Sequence, residues 1–309
     1  MRKTALESVY ELATKDPRVV FIGSDLGKDT LKNFKKEMPE RFFMEGVCEA
    51  TIVGMAAGLA LEGKIPYINT ISTFLMRRAC EQVILDMCMH NVNVRLLGSG
   101  GGLVYAPLGP THLAVEDIAI GRAIPNLTVV APCDADEMKR VMLESVSWQG
   151  PMYIRIAKGG DPIVSSSQNG FKLGTPILMR EGRDVVVVTT GITAKLGLDA
   201  AEHFQKLGVR VGVLHIHTLK PLDTKMIQAV LAPAPVVVSI EEHTITGGLG
   251  SAIAEVIAES GSAKKFRRMG IPDVFPDEYG SQASLMKRYS ITTESLISVI
   301  TELLESKGR

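Results

Sequence analysis

The sequence predicts an α/β protein of two domains, each a mostly parallel sheet flanked by helices. Short runs rich in β-branched residues recur along the chain, separated by longer stretches with the apolar period of an amphipathic helix. That alternation builds parallel strands covered on both faces. The third observation is a break: residues 162–170 (Pro-Ile-Val-Ser-Ser-Ser-Gln-Asn-Gly) are polar, turn-rich and aperiodic, as a surface linker should be. The expected division is a first domain at 1–162, a linker at 163–175 and a second domain at 176–309.

In the first domain the apolar run Val-Val-Phe-Ile-Gly marks a strand at 19–23, and similar runs mark strands at 65–71, 92–97, 127–131 and 152–156. Helices are expected between them at 49–61, 77–90, 115–123 and 134–148. In the second domain, strands are expected at 184–189, 209–215, 235–240 and 265–269, with helices at 193–207, 224–231, 248–260 and 293–305.

A hydrophobic fraction of 46% with 22% charged residues argues against disorder and coiled coil. Thirty-four basic residues balance 34 acidic ones, so no net field draws the chain to nucleic acid or an anionic membrane. Cys48, Cys80, Cys88 and Cys133 lack zinc-like spacing and are expected to be buried, reduced thiols. His215-Ile216-His217 has no third ligand nearby in sequence and His243 sits at a strand end; both read as structural, and no metal is expected on this chain. Met1-Arg2-Lys3 leads into a helical pattern rather than a signal core, and the uncharged run at 51–61 is too short to span a bilayer. A cytoplasmic protein is the expectation.

One acid stands out. Glu49 opens the otherwise apolar, small-residue run from Gly46 to Ala60. A carboxylate taken out of water needs a partner, a ligand or a proton. An acid at a helix N-terminus, favoured by the macrodipole, is the plain alternative.

The functional reading rests on resemblance. Gly46-Val47-Cys48-Glu49 with Val53-Gly54-Met55-Ala56-Ala57-Gly58 resembles the pyrimidine-domain motif of transketolases and related thiamine diphosphate enzymes. Ser72-Thr73-Phe74-Leu75-Met76 and Gly109-Pro110-Thr111-His112 are similar to two further family segments. Leu219-Lys220-Pro221-Leu222-Asp223, Glu241-Glu242-His243 and Gly247-Gly248-Leu249-Gly250-Ser251 follow the family's C-terminal domain.

The resemblance implies that Glu49 hydrogen-bonds N1' of the cofactor's aminopyrimidine and favours its imino form, that Phe74 stacks on that ring, and that Asp25 and Leu26 lie beside it. It implies that His112 contacts the reacting oxygens of a donor substrate. Leu108 stands where transketolases have a hydroxyl-reading Asp, and Gly100 and Gly101 stand where relatives carry a His or an Arg, so substrate contacts must differ. Ser99-Gly100-Gly101-Gly102 offers a loop whose backbone N–H groups could approach a ligand, or a turn clearing room for the cofactor or a neighbour. Arg77, Arg155 and Lys158 are the candidates for an anionic substrate group, with surface salt bridges as the competing reading.

The chain has no Gly-Asp-Gly followed by a downstream Asn, the family signature that holds Mg²⁺ (or Ca²⁺) and the diphosphate. The resemblance therefore implies a separate partner subunit carrying that motif, in a heterotetramer formed through the two domains described above. The expected reaction is transfer of a ketol unit from a ketose or 2-oxo donor to an aldehyde. The alternatives are a decarboxylating 2-oxoacid dehydrogenase β-type subunit, a deoxyxylulose-phosphate-synthase-like enzyme, or a noncatalytic scaffold or regulatory paralogue.

Overall fold

Strand β1 (Val19–Gly23) is buried along its whole length, as an apolar strand deep within a covered parallel sheet must be. The structure, a computed structural model, describes residues 1–24 and 30–306. In it β1 pairs in parallel with β2 (Phe42–Met44) and β3 (Ile65–Ile71), β3 with β4 (Arg95–Ser99), β4 with β6 (Met152–Ile156), and β6 with β5 (Thr128–Val130). A short antiparallel strand, β10 (Thr218–Lys220), covers the far edge of β5, giving the order β10-β5-β6-β4-β3-β1-β2.

The second sheet runs β12-β11-β8-β9-β7. Its strands β8 (Val185–Thr189), β9 (Val211–His215), β11 (Val236–Thr244) and β12 (Lys265–Ile271) are parallel, and β7 (Ile177–Arg180) is antiparallel at the β9 edge. This is the two-sheet, mostly parallel architecture the sequence predicts. The two sheets share a core: Ile22, Ile68 and Leu96 from the first belong to one buried cluster with Val186, Val188 and Leu214 from the second.

Three strands escape the sequence. β2, β7 and β10 have three, four and three residues, too few to show a period, and they are fixed by pairing with longer neighbours. Helix Ala135–Ser145 begins where its cap dictates, with the Asp134 carboxylate accepting the Glu137 N–H at 2.8 Å, and ends before the expected residue 148. The helix expected at 77–90 starts earlier and is not regular. Wide π-type turns span Phe74–Arg78 and Val83–Met89, and the Ala79 N–H reaches back five residues to Phe74 O at 3.2 Å. Such turns insert an extra residue and re-aim side chains. Among the described residues no helix is long and apolar enough to cross a membrane.

Between β7 and β8 two backbones nearly touch. A Cβ added at Gly182 would stand 1.9 Å from Gly212 N, in β9, and neither backbone can give way locally. Gly182→Ala is expected to cost about 2–3 kcal/mol of stability, read as a lower urea midpoint at unchanged m-value; an unchanged midpoint would show that the turn relaxes freely.

Candidate active site

The residues singled out by sequence converge on the carboxyl ends of β2, β3 and β4, the edge where open α/β sheets bind ligands. Helix Glu49–Leu61 starts shortly after β2, Phe74 follows β3, and the Gly100–His112 stretch follows β4. Glu49 is 1% exposed. Its Oε1 accepts from Thr70 Oγ1 at 3.4 Å, Thr70 Oγ1 in turn accepts from Ser24 Oγ at 2.9 Å, and Oε2 accepts from Arg78 Nη1 at 2.7 Å. The Phe74 ring stands edge to face with the His112 ring, centroids 5.3 Å apart at 66°. Thr111 Oγ1 lies 2.9 Å from His112 Nδ1 and helps orient it. Phe74 thus contacts His112 directly and is joined to Glu49 through Arg78, whose guanidinium carbon lies 4.2 Å from the Phe74 ring centroid. Asp25 and Leu26 lie outside the described residues.

The side chains considered for an anionic group go to different places. Arg77 turns away from Glu49: its Nε and Nη2 pair with Glu116, the latter at 2.8 Å from Oε2, and Nη2 also donates to Leu113 O at 2.9 Å. Arg155 is buried, donating to Asp117 Oδ2 at 2.8 Å, Ala114 O at 3.1 Å and Glu242 O at 2.8 Å. Lys158 is exposed and lines a cavity of about 220 Å³ with Arg2, Gly100, Tyr105 and Leu108.

The glycine loop is pinned. The N–H groups of Gly100 and Gly101 both donate to Ile156 O, at 2.9 and 3.0 Å, and that of Gly102 to Ala114 O at 2.9 Å. These donors are already used within the fold, so they do not form a ligand-facing nest. The glycines serve clearance instead: a Cβ at Gly101 would stand 2.4 Å from the Arg155 side chain and one at Gly102 2.5 Å from the Glu242 carboxyl.

Behind the site lies a buried polar seam that joins the two sheets, and sequence reasoning missed its centre, Asp117. Tyr153 Oη donates to Asp117 Oδ2 at 2.6 Å beside the Arg155 contact. His243 Nδ1 donates to Thr244 O at 2.7 Å, leaving Nε2 to accept from the Ala119 N–H at 3.3 Å. Glu241 accepts the first N–H groups of helix Leu249–Glu259, from Leu249 and Gly250, both at 2.7 Å. A second seam pairs His215 Nε2 with Glu137 Oε2 at 2.9 Å, and burial pushes His217 down to about 4.

Glu242 Oε1 accepts from the Leu103 N–H and Gln282 Nε2, both at 2.8 Å. Burial pushes its carboxyl up to about 7 despite the nearby Arg155 cation. An acid raised in the folded state binds its proton more tightly there than in the unfolded chain, so its contribution to stability falls as pH rises from about 4 to 7. Glu242→Gln keeps the acceptor without the titration. It is expected to exceed the natural protein in stability by about 2 kcal/mol at pH 8 and to lose that advantage near pH 4. Urea unfolding at several pH values checks this, and a constant difference across pH would refute it.

Residues 1–160 match the transketolase pyrimidine binding domain and residues 174–296 the transketolase C-terminal domain, so the chain belongs to the transketolase family. It is 35% identical over 309 residues to the 6-deoxy-6-sulfo-D-fructose transketolase subunit of a Clostridium species, covering 100% of this chain and 95% of that one. It is 36% identical over 310 residues to the putative transketolase C-terminal section of Methanocaldococcus jannaschii, covering 99% and 97%. A solved split gene transketolase, described as an inactive beta4 tetramer, superposes with a TM-score of 0.91 at 32% identity over 99% of both chains.

Proposed function

We propose that this chain is the C-terminal subunit of a two-subunit, thiamine-diphosphate-dependent transketolase-like enzyme that moves a two-carbon ketol unit from a ketose or 2-oxo donor to an aldehyde. The observation that carries the reading is the buried Glu49 carboxylate beside the Phe74 ring at the carboxyl edge of β3. The pair fits a flat nitrogen heterocycle, because a flat group of the protein already spans it: the Arg78 guanidinium carbon lies 4.2 Å from the Phe74 ring centroid while its Nη1 touches Glu49. When bound, the cofactor would supply the electron sink for cleavage beside the donor carbonyl.

Glu49 would hold N1' of the aminopyrimidine, with Thr70 fixing its other oxygen. Phe74 would give the ring an apolar face, a contact worth ~1 kcal/mol beyond area burial. His112, half-buried and oriented by Thr111, would contact the donor oxygens. Asp25 and Leu26 are carried as cofactor neighbours on resemblance alone. For an anionic substrate end Lys158 is the candidate we retain, since Arg77 and Arg155 are engaged with Glu116 and Asp117.

A partner subunit would hold the diphosphate through Mg²⁺ or Ca²⁺ with a Gly-Asp-Gly and Asn motif. The relatives named as a subunit or section, aligned over nearly their whole length, support such a split. We also propose a heterotetramer, the division at 1–162, 163–175 and 176–309, and a cytoplasmic location. The test is calorimetric titration of thiamine diphosphate with Mg²⁺ into this chain alone and into its complex with the candidate partner. Tight binding only in the complex, weakened by Glu49→Ala, supports the split site; tight binding by the chain alone overturns it.

A further inference from the structure

Arg78 is a residue that neither the motifs nor the proposed chemistry uses. The wide turn at Phe74–Arg78 separates it from its neighbour: Arg77 goes to Glu116, while Arg78 folds back over Phe74. There its guanidinium engages both groups assigned to the cofactor ring, the Phe74 face at 4.2 Å and Glu49 Oε2 at 2.7 Å. A guanidinium is planar, stacks on aromatic faces and donates hydrogen bonds from its edge. In those respects it imitates an aminopyrimidine.

We propose that Arg78 is an internal competitor for the aminopyrimidine, occupying Phe74 and Glu49 until the cofactor displaces it; the inference rests on the cofactor assignment above. One aromatic face and one carboxylate oxygen cannot serve both. In addition, Glu49 accepts from Arg78 in the ion pair but must donate to N1' in the activating contact, so the two arrangements exclude each other. Displacement is feasible because the Arg78 side chain is 48% exposed and can swing into water, whereas Glu49, 1% exposed, cannot follow. Among the described residues Arg78 is the cation paired with the buried Glu49 carboxylate, whose burial as a charge is costly without a partner.

The test measures thiamine diphosphate affinity, with Mg²⁺, for the full chain in complex with its partner subunit, natural against Arg78→Ala and Arg78→Met. Both variants remove the guanidinium, and the second keeps an apolar stem over Phe74. The expected result is binding about fivefold tighter in both, the fold-change of a half-exposed ion pair no longer being broken. Arg78→Lys, which keeps charge but not the flat stacking surface, is expected to fall between. Unchanged or weaker affinity in the variants, with the natural complex binding normally, overturns the inference and makes Arg78 a support of the site. If the natural complex and all variants fail to bind, the cofactor assignment fails and the inference falls with it. As an independent readout, the thermal midpoint of the full chain is expected to drop in Arg78→Ala and to recover in Arg78→Ala with Glu49→Gln. A midpoint that does not move shows that no ion pair is held and overturns the competition.

Discussion

Glu49→Gln is expected to lower the kcat of the assembled enzyme by about 10³-fold, within the range lost when a positioned proton-transfer group is removed. The substitution preserves shape and burial, so folding should survive; the cation left behind, Arg78, is half in water. Amide and carboxyl can both reach a ring nitrogen, but only the carboxyl can exchange a proton with it. Steady-state rates with the partner subunit present, alongside a thermal melt, separate loss of chemistry from loss of fold. Activity within tenfold of the natural enzyme would favour the noncatalytic reading of this chain.

Asp117→Ala carries the largest expected cost in stability, about 3–5 kcal/mol, because it leaves a buried guanidinium without its carboxylate. Asp117 and Arg155 are 1% and 7% exposed, and the same Asp117 oxygen also accepts from Tyr153. The backbone carbonyls of Ala114 and Glu242 would remain as the only acceptors described for Arg155. Removing both charges with Asp117→Leu and Arg155→Met should return part of the loss, since the penalty lies in the unpaired charge rather than in the missing bond. A urea series gives both numbers, and a single-variant loss under 1 kcal/mol would show that water reaches the site.

The sheets were readable because their strands carry their own signal. Val185–Thr189 is four valines and a threonine, and no helix or loop accounts for that composition better. Glu49, Phe74 and His112 stand out in the sequence because each belongs to a motif, and the fold puts the Phe74 and His112 rings in contact and joins Phe74 to Glu49 through Arg78. What escaped was set by tertiary contact. β10 is Thr-Leu-Lys, a strand only because β5 offers it an edge. Asp117 resembles an ordinary acid in a helix's first turn, and nothing local says that it faces Arg155, 38 residues away. A signal was nonetheless present. Arg155 interrupts the apolar run Met-Tyr-Ile-Arg-Ile of β6, and a charge in a strand buried on both faces needs an internal partner. The same logic applies to Arg95 in β4, wholly buried and donating to the carbonyls of Ser145, Trp148 and Gly150. The glycine loop failed as a ligand cradle for a related reason: its N–H groups were already committed to Ile156 and Ala114.

β10 has a consequence for how the molecule comes apart. It belongs by sequence to the second half of the chain but completes the first sheet, with the Ala131 N–H bonded to His217 O at 2.7 Å beside it. The turn-rich stretch at 163–175 is therefore not a place where the protein can be cut into two autonomous pieces. A fragment ending there would expose the naked rim of β5, an invitation to pair with another chain. The intact polypeptide should melt in one calorimetric step, each half holding the other to a shared fate.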